Sequence, residues 1–139
     1  MLSKSFITVV SEQAPRRLNV LDIRKGTELH TYKYGTDITA VRISRSVKPR
    51  DYLYCSLSWQ LNSFQRLVVC LTEDIWIHDM RDLKVVHIIR EVPTNTNGLC
   101  ALSSNDDSPY LAYSKSSVTG EMQIFDTIKL ASAILFEWK

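Results

Sequence analysis

Two short β-rich runs joined at an aspartate recur three times along the chain, and this repeat limits the fold more than any other feature of the sequence. In the clearest copy, Ile75 to Glu91 (IWIHDMRDLKVVHIIRE), an alternating run ends on Asp79, and a polar turn leads to a second run, VVHII. Leu18 to Tyr34 (LNVLDIRKGTELHTYKY) and Met122 to Trp138 (MQIFDTIKLASAILFEW) share the layout. Superimposing Asp22, Asp79 and Asp126 places an apolar residue two positions earlier (Val20, Ile77, Ile124). A small or apolar residue falls seven positions later (Leu29, Val86, Ala133). Each copy reads as two antiparallel strands with a tight turn. An Asp ending the first strand suits that turn, because its carboxylate accepts hydrogen bonds from backbone N–H groups just ahead. The three aspartates are therefore assigned as structural turn formers and not as acid–base groups, since carboxylates recurring once per repeat lie in separate repeats.

The aspartates are 79 − 22 = 57 and 126 − 79 = 47 residues apart. A period of about 40–45 residues marks WD-type propeller blades, each a four-stranded sheet. The second spacing fits and the first is too long. ITAVRI (38–43) reads as an innermost strand whose partner, RLVVCL (66–71), is delayed by SRSVKPRDYLYCSLSWQLNSFQ. Removing about 18 of those residues restores a spacing near 39, close to the blade period. The expected fold is all-β: a WD-repeat β-propeller fragment of about three four-stranded blades, not closed. Blade pieces are expected at 5–34, 38–91 with an insert at 44–63, and 98–138. SFITVVS (5–11) opens partway through a blade, EQAPRR is a polar, Pro-containing loop, and EVPTNTNG is a linker. The insert carries Tyr52, Tyr54, Trp59, Lys48 and Arg50. Such side chains suit a membrane-touching or partner-binding loop. The absence of a helical moment or turn signals favours instead a segment foreign to the fold, such as translated intron or a splice variant.

With 139 residues and 45% hydrophobic content the chain can bury a core, and its apolar runs, such as LVVCL, are strand-length. No secretory signal pattern opens it, and a cytosolic protein is expected. Cys55, Cys70 and Cys100 form no C-x-x-C spacing. Cys70 and Cys100 read as small buried strand residues and not as metal ligands or disulfide partners. The net charge of +2 conceals an asymmetry. Residues 1–50 carry ten Lys and Arg against four Asp and Glu, and the remainder carries seven against eleven. A basic half can favour an anionic membrane or an acidic partner, although on charge alone scattered Lys and Arg on a solvated face are the favoured explanation. His30, His78 and His87 lack metal-ligand spacing. Neither G-x-S-x-G nor a glycine-rich phosphate loop is present, so no enzyme and no cofactor are expected.

RLVVCLTEDIWIHDMRDLKVVHIIRE, NGLCALSSNDDSPYLAY, GEMQIFDTIKL and APRRLNVLDIRKGTELHTYKY resemble the second and third blades of the WIPI proteins, or PROPPINs. These are WD-repeat, phosphoinositide-interacting autophagy proteins. The resemblance implies a propeller that recognises phosphatidylinositol 3-phosphate and the 3,5-bisphosphate, and that recruits lipid-transfer and conjugation-scaffold proteins during autophagosome formation. It also implies a cytoplasmic protein, peripheral on phagophore and endosomal membranes, with no nucleic-acid partner. The family's lipid signature, Leu or Phe followed by Arg-Arg-Gly, is missing here. Arg16–Arg17 is the only Arg pair and lies between Pro15 and Leu18. The family's Tyr-Pro-Gly-Ser turn is replaced by Tyr113, Ser114, Lys115 and Ser116, and the likeness fades after Leu130, as in a splice form or incomplete gene model. Arg66, Arg81 and Arg90 fall in the blade resembling the family's partner-binding region and are the partner-binding candidates, with Arg81 in an exposed turn able to meet an acidic surface, although a solvated turn residue beside Asp82 is the favoured explanation. Three readings follow: a phosphoinositide effector of autophagy, a protein-interaction scaffold without lipid binding, or a truncated product without a function of its own.

Overall fold

The computed structural model describes residues 6–44, 66–90, 92–103 and 109–138. Eleven strands run in chain order: β1 (Phe6–Ser11), β2 (Ala14–Asp22), β3 (Thr27–Lys33), β4 (Ile38–Ile43), β5 (Arg66–Leu71), β6 (Ile75–Asp79), β7 (Lys84–Ile89), β8 (Cys100–Leu102), β9 (Tyr110–Ser114), β10 (Gly120–Asp126) and β11 (Ala131–Trp138). They form three antiparallel meanders, β1–β3, β4–β7 and β8–β11, and no helix occurs among the described residues. The expected all-β, unclosed propeller segment is the architecture observed. At the end of the second sheet's first hairpin, Ser44 N–H donates to Arg66 O at 2.9 Å and Arg66 N–H donates to Ser44 Oγ at 2.7 Å. Nearly all of the expected insert lies in 45–65, outside the described residues.

The repeat has a common hairpin geometry. Asp22 Oδ1 accepts the Arg24 N–H at 2.9 Å, Asp79 Oδ1 the Arg81 N–H at 2.8 Å, and Asp126 Oδ1 the Ile128 N–H at 2.9 Å. Four residues beyond each Asp the backbone turns left-handed, at Gly26 (φ 63°), Leu83 (φ 60°) and Leu130 (φ 55°). Glycine is free of steric cost there, whereas a Leu costs about 1–2 kcal/mol. Leu83 and Leu130 are retained because their side chains pack against the two cores. The residue seven beyond each Asp is the extra residue of a β-bulge. Val20 pairs His30 and Leu21 pairs Glu28, skipping Leu29; Val86 and Ala133 are skipped in the same way. A bulge sets two residues against one and sharpens the local twist.

The sheets pack face to face. Leu18, Val20, Tyr32 and Tyr34 of the first meet Leu67, Val69, Leu71 and Met80 of the second. Val68, Cys70, Ile75 and Ile77 of the second meet Leu111, Tyr113 and Phe125 of the third. β5 is buried along its whole length because its alternate residues face opposite neighbours, which explains the unbroken run RLVVCL. Each fully buried Leu or Val contributes about 1.5–3 kcal/mol of transfer energy. The residue two before each Asp follows one rule: Val20 faces the second sheet and Ile77 faces the third. Ile124 is half-buried, on a face shared with the exposed Met122, Ile134 and Phe136.

One local expectation is corrected. EQAPRR is not a loop: only Glu12 and Gln13 turn, and β2 begins at Ala14. Pro15 is tolerated in the strand because the ladder slips beside it, between the Val9–Asn19 and Ser11–Ala14 pairs, and asks for no N–H at that point.

Candidate partner-binding surface

The turn between β6 and β7, residues Met80 to Leu83, is pinned from several directions. Asp79 ends β6, and its carboxylate is shared by two guanidinium groups: Arg66 Nη1 lies 3.1 Å and Arg81 Nη2 2.7 Å from Oδ2. Arg81 Nε reaches both carboxylate oxygens at 3.2 Å. Burial by itself would raise the Asp79 carboxyl, but hydrogen bonds from the Arg81 side chain and backbone, with the charges of Arg81 and Arg66, hold it below the usual carboxylate range. Across the sheet joint the Tyr32 hydroxyl donates to Leu83 O. The turn is thus fixed by its own Asp, by a buried cation and by a tyrosine from the preceding repeat.

The three candidate arginines sit in different places. The Arg66 side chain is 6% exposed, and its Nε donates to Thr127 O at 3.1 Å, so this cation spans from the second sheet to the third. The Arg81 side chain is 49% exposed, with its Nε and Nη2 on Asp79 and the charge of Asp82 nearby. Arg90 is exposed just beyond β7. Only Arg66 and Arg81 share a partner. Sequence spacing could not separate these roles, because Arg66 is positioned by a carbonyl 61 residues away.

Behind the turn lies a cluster absent from the sequence reading. Tyr34, Trp76 and His78 meet between the first and second sheets, with the Tyr34 and Trp76 rings edge-on at 5.3 Å. Tyr34 Oη and His78 Nε2 are 2.9 Å apart. Burial, then the charge of His30, lowers the His78 imidazole from 6.5 to about 4, so it is neutral near pH 7. Burial, then the neighbouring Tyr32, pushes the Tyr34 hydroxyl upward. Each aromatic comes from a strand position that looks ordinary alone.

A second surface feature is an open concavity of about 450 Å³ rimmed by Arg16, Arg17, Lys33 and Asp37. Arg16 Nε is 3.0 Å from Asp37 Oδ1. Arg17 pairs directly across from Lys33, a juxtaposition of like charges that disfavours the bare sheet and suits an anionic neighbour. Further along, the turn after β9 is made by Ser116, whose Oγ accepts the Val118 and Thr119 N–H groups at 3.2 and 3.1 Å. No cluster of three or more His, Cys, Asp or Glu side chains able to hold a metal occurs among the described residues.

Consecutive meanders, each packed face-on against the next and each turning on a buried Asp, define a segment of a β-propeller. The chain belongs to the PROPPIN family, whose sequence pattern matches residues 1–136. It is 45% identical over 133 residues to WD repeat domain phosphoinositide-interacting protein 2 of Gallus gallus, covering 96% of this chain and 26% of that protein. To WD repeat domain phosphoinositide-interacting protein 1 of Homo sapiens it is 37% identical over 126 residues, 91% of this chain and 24% of the relative. Autophagy-related protein 18 of Caenorhabditis elegans is 29% identical over 136 residues, 98% and 28% of the two chains. The chain therefore spans about a quarter of the length of these relatives. Among solved structures, a chain of the complex of KlAtg21 with the coiled-coil of AgAtg16 superimposes with a TM-score of 0.64 at 14% identity, over 96% of this chain and 38% of that one. That likeness concerns the fold.

Proposed function

We propose that this chain is the partner-recognition part of a phosphoinositide-interacting WD-repeat effector of autophagosome formation. Family membership supports the general role, through relatives named as phosphoinositide-interacting and autophagy-related proteins. The observation that carries the narrower reading is Arg81, a half-exposed guanidinium on a turn held rigid by Asp79, Tyr32 and Leu83. The Asp79 contact fixes this guanidinium in one orientation, so the positively charged turn loses little freedom on meeting an acidic face of an α-helical partner. The solved KlAtg21 complex, in which the companion is a coiled coil, is in keeping with that choice. Recognition of phosphatidylinositol 3-phosphate or the 3,5-bisphosphate is assigned to the whole effector and not to this stretch, which lacks the Arg-Arg-Gly loop. The same reading makes the protein cytoplasmic and peripheral on phagophore and endosomal membranes, its blade pieces falling at 5–34, 38–91 and 98–138.

The test pairs two assays on the chain. A pull-down with an Atg16-type coiled coil is expected to retain it, and Arg81→Glu is expected to cut retention at least tenfold, since it replaces attraction with repulsion. Flotation with vesicles containing phosphatidylinositol 3-phosphate is expected to match the lipid-free control. Retention indifferent to Arg81→Glu sinks the partner reading, and specific flotation sinks the division of labour.

A further inference from the structure

Two of the three cysteines, far apart in sequence and on different sheets, are brought into contact. Cys70 lies on β5, fully buried, on the face turned to the third sheet. Cys100 opens β8 and is half-buried. Their sulfurs are 2.8 Å apart, with the Cys70 thiol donating to the Cys100 sulfur. The approach is built into the backbone. A Cβ on Gly98 would fall 2.5 Å from Thr39 O and 2.8 Å from Ala40 Cβ, so only glycine lets the chain entering β8 lie this close to β4. Ala40 is the ladder partner of Cys70, and Thr39 Oγ1 donates to Cys70 O at 3.1 Å. Cys100, two residues beyond Gly98, is delivered to Cys70 by that contact.

We propose that Cys70 and Cys100 form a reversible oxidation site, at which a hydroperoxide converts the two thiols into a disulfide stapling the second sheet to the third. The roles of the two sulfurs are unequal. The hydrogen bond from Cys70 lowers the Cys100 thiol below its ordinary value, against the opposing effect of burial and with help from the Arg42 charge. The same hydrogen bond and burial raise the Cys70 thiol. Cys100, the sulfur that solvent reaches while Cys70 is fully buried, is the attacking thiolate: it takes the terminal oxygen of the hydroperoxide, giving a sulfenic acid and, after protonation of the leaving alkoxide, an alcohol or water. Cys70 then attacks the sulfenic sulfur. The S–S bond forms, the S–O bond breaks, and the hydroxyl leaves as water with the Cys70 proton. The sulfurs move roughly 0.8 Å to reach the S–S length of about 2.05 Å. In a reducing compartment such a bridge is transient and responsive to oxidants.

The experiment treats the folded chain with hydrogen peroxide, alkylates the remaining thiols under denaturing conditions and maps peptides by mass spectrometry. A Cys70–Cys100 bridge is expected to dominate over pairs involving Cys55, to disappear on adding dithiothreitol, and to raise Tm by on the order of 10 °C. Free alkylation of both thiols after peroxide overturns the proposal, as does a yield near the one third expected when three cysteines pair at random. In Cys70→Ser, dimedone is expected to trap a sulfenic acid at Cys100. A trap on Cys70 in Cys100→Ser and none on Cys100 overturns the assigned roles.

Discussion

His78 shows how far a residue's chemistry can be set by neighbours the sequence does not place beside it. Read alone it is a strand residue next to Asp79, yet its ring is buried against Tyr32, Tyr34 and Trp76, two of them more than 40 positions away. The unfolded chain binds a proton at His78 near pH 6.5, while the folded chain does not until about 4. Between those values the unfolded state holds more protons, so stability falls as pH falls, by up to about 1.4 kcal/mol per pH unit. Calorimetry is expected to show a lower Tm at pH 5 than at pH 7. In His78→Phe that drop should largely vanish, while the protein is weaker at both pH values by about 1–3 kcal/mol because the Tyr34 hydroxyl loses its partner. An unchanged drop in the variant would assign the titration to another group. Arg66 teaches the same lesson: its charge is visible in the sequence, but the Thr127 carbonyl that takes its Nε is not.

Among the elements, the hairpins were legible and their exceptions were not. The offsets of two and seven around each Asp are local signals, because the first residue packs on the following sheet in the first two copies and the second forms the bulge in all three. Strand start Ala14 escaped notice because Pro15 argues against a strand unless the ladder slips beside it. The approach of β8 to β4 also escaped, since a glycine's crowding depends on the opposite chain. Two glycines with φ 63° separate the contributions. Gly26→Ala meets no atom within 4 Å and bears only the cost of the left-handed backbone, about 1–2 kcal/mol. Gly98→Ala adds a collision with the Thr39 backbone. Urea denaturation is expected to show at least twice the loss at Gly98, and equal losses would mean the strands yield without cost.

For the molecule as a whole, each joint between sheets needs two apolar faces, and the three described sheets supply two joints with a face left over at each end. Ile7 and Val9 lie exposed on the first sheet, and Met122, Ile134 and Phe136 on the third. Such patches promote association. Sedimentation of the chain is expected to depend on concentration, and Ile134→Lys with Phe136→Lys should shift it toward monomer. A concentration-independent monomer would show these faces to be tolerated by water. The fold class was legible because the repeat carries it, whereas the pairing of distant groups into a site depends on how one sheet lands on the next.

The guanidinium of Arg66 finally bears on how the molecule comes apart. Rooted in β5 on the face turned to the third sheet, it holds both Asp79 and the Thr127 carbonyl, so opening the third sheet alone breaks one charge-assisted hydrogen bond while Asp79 is kept. A hydrogen bond to a charged group contributes about 1.5–3 kcal/mol net. The Thr127 contact thus resists separation of the second and third sheets, and hydrogen exchange is expected to show the β10 amides opening no more readily than those of β5.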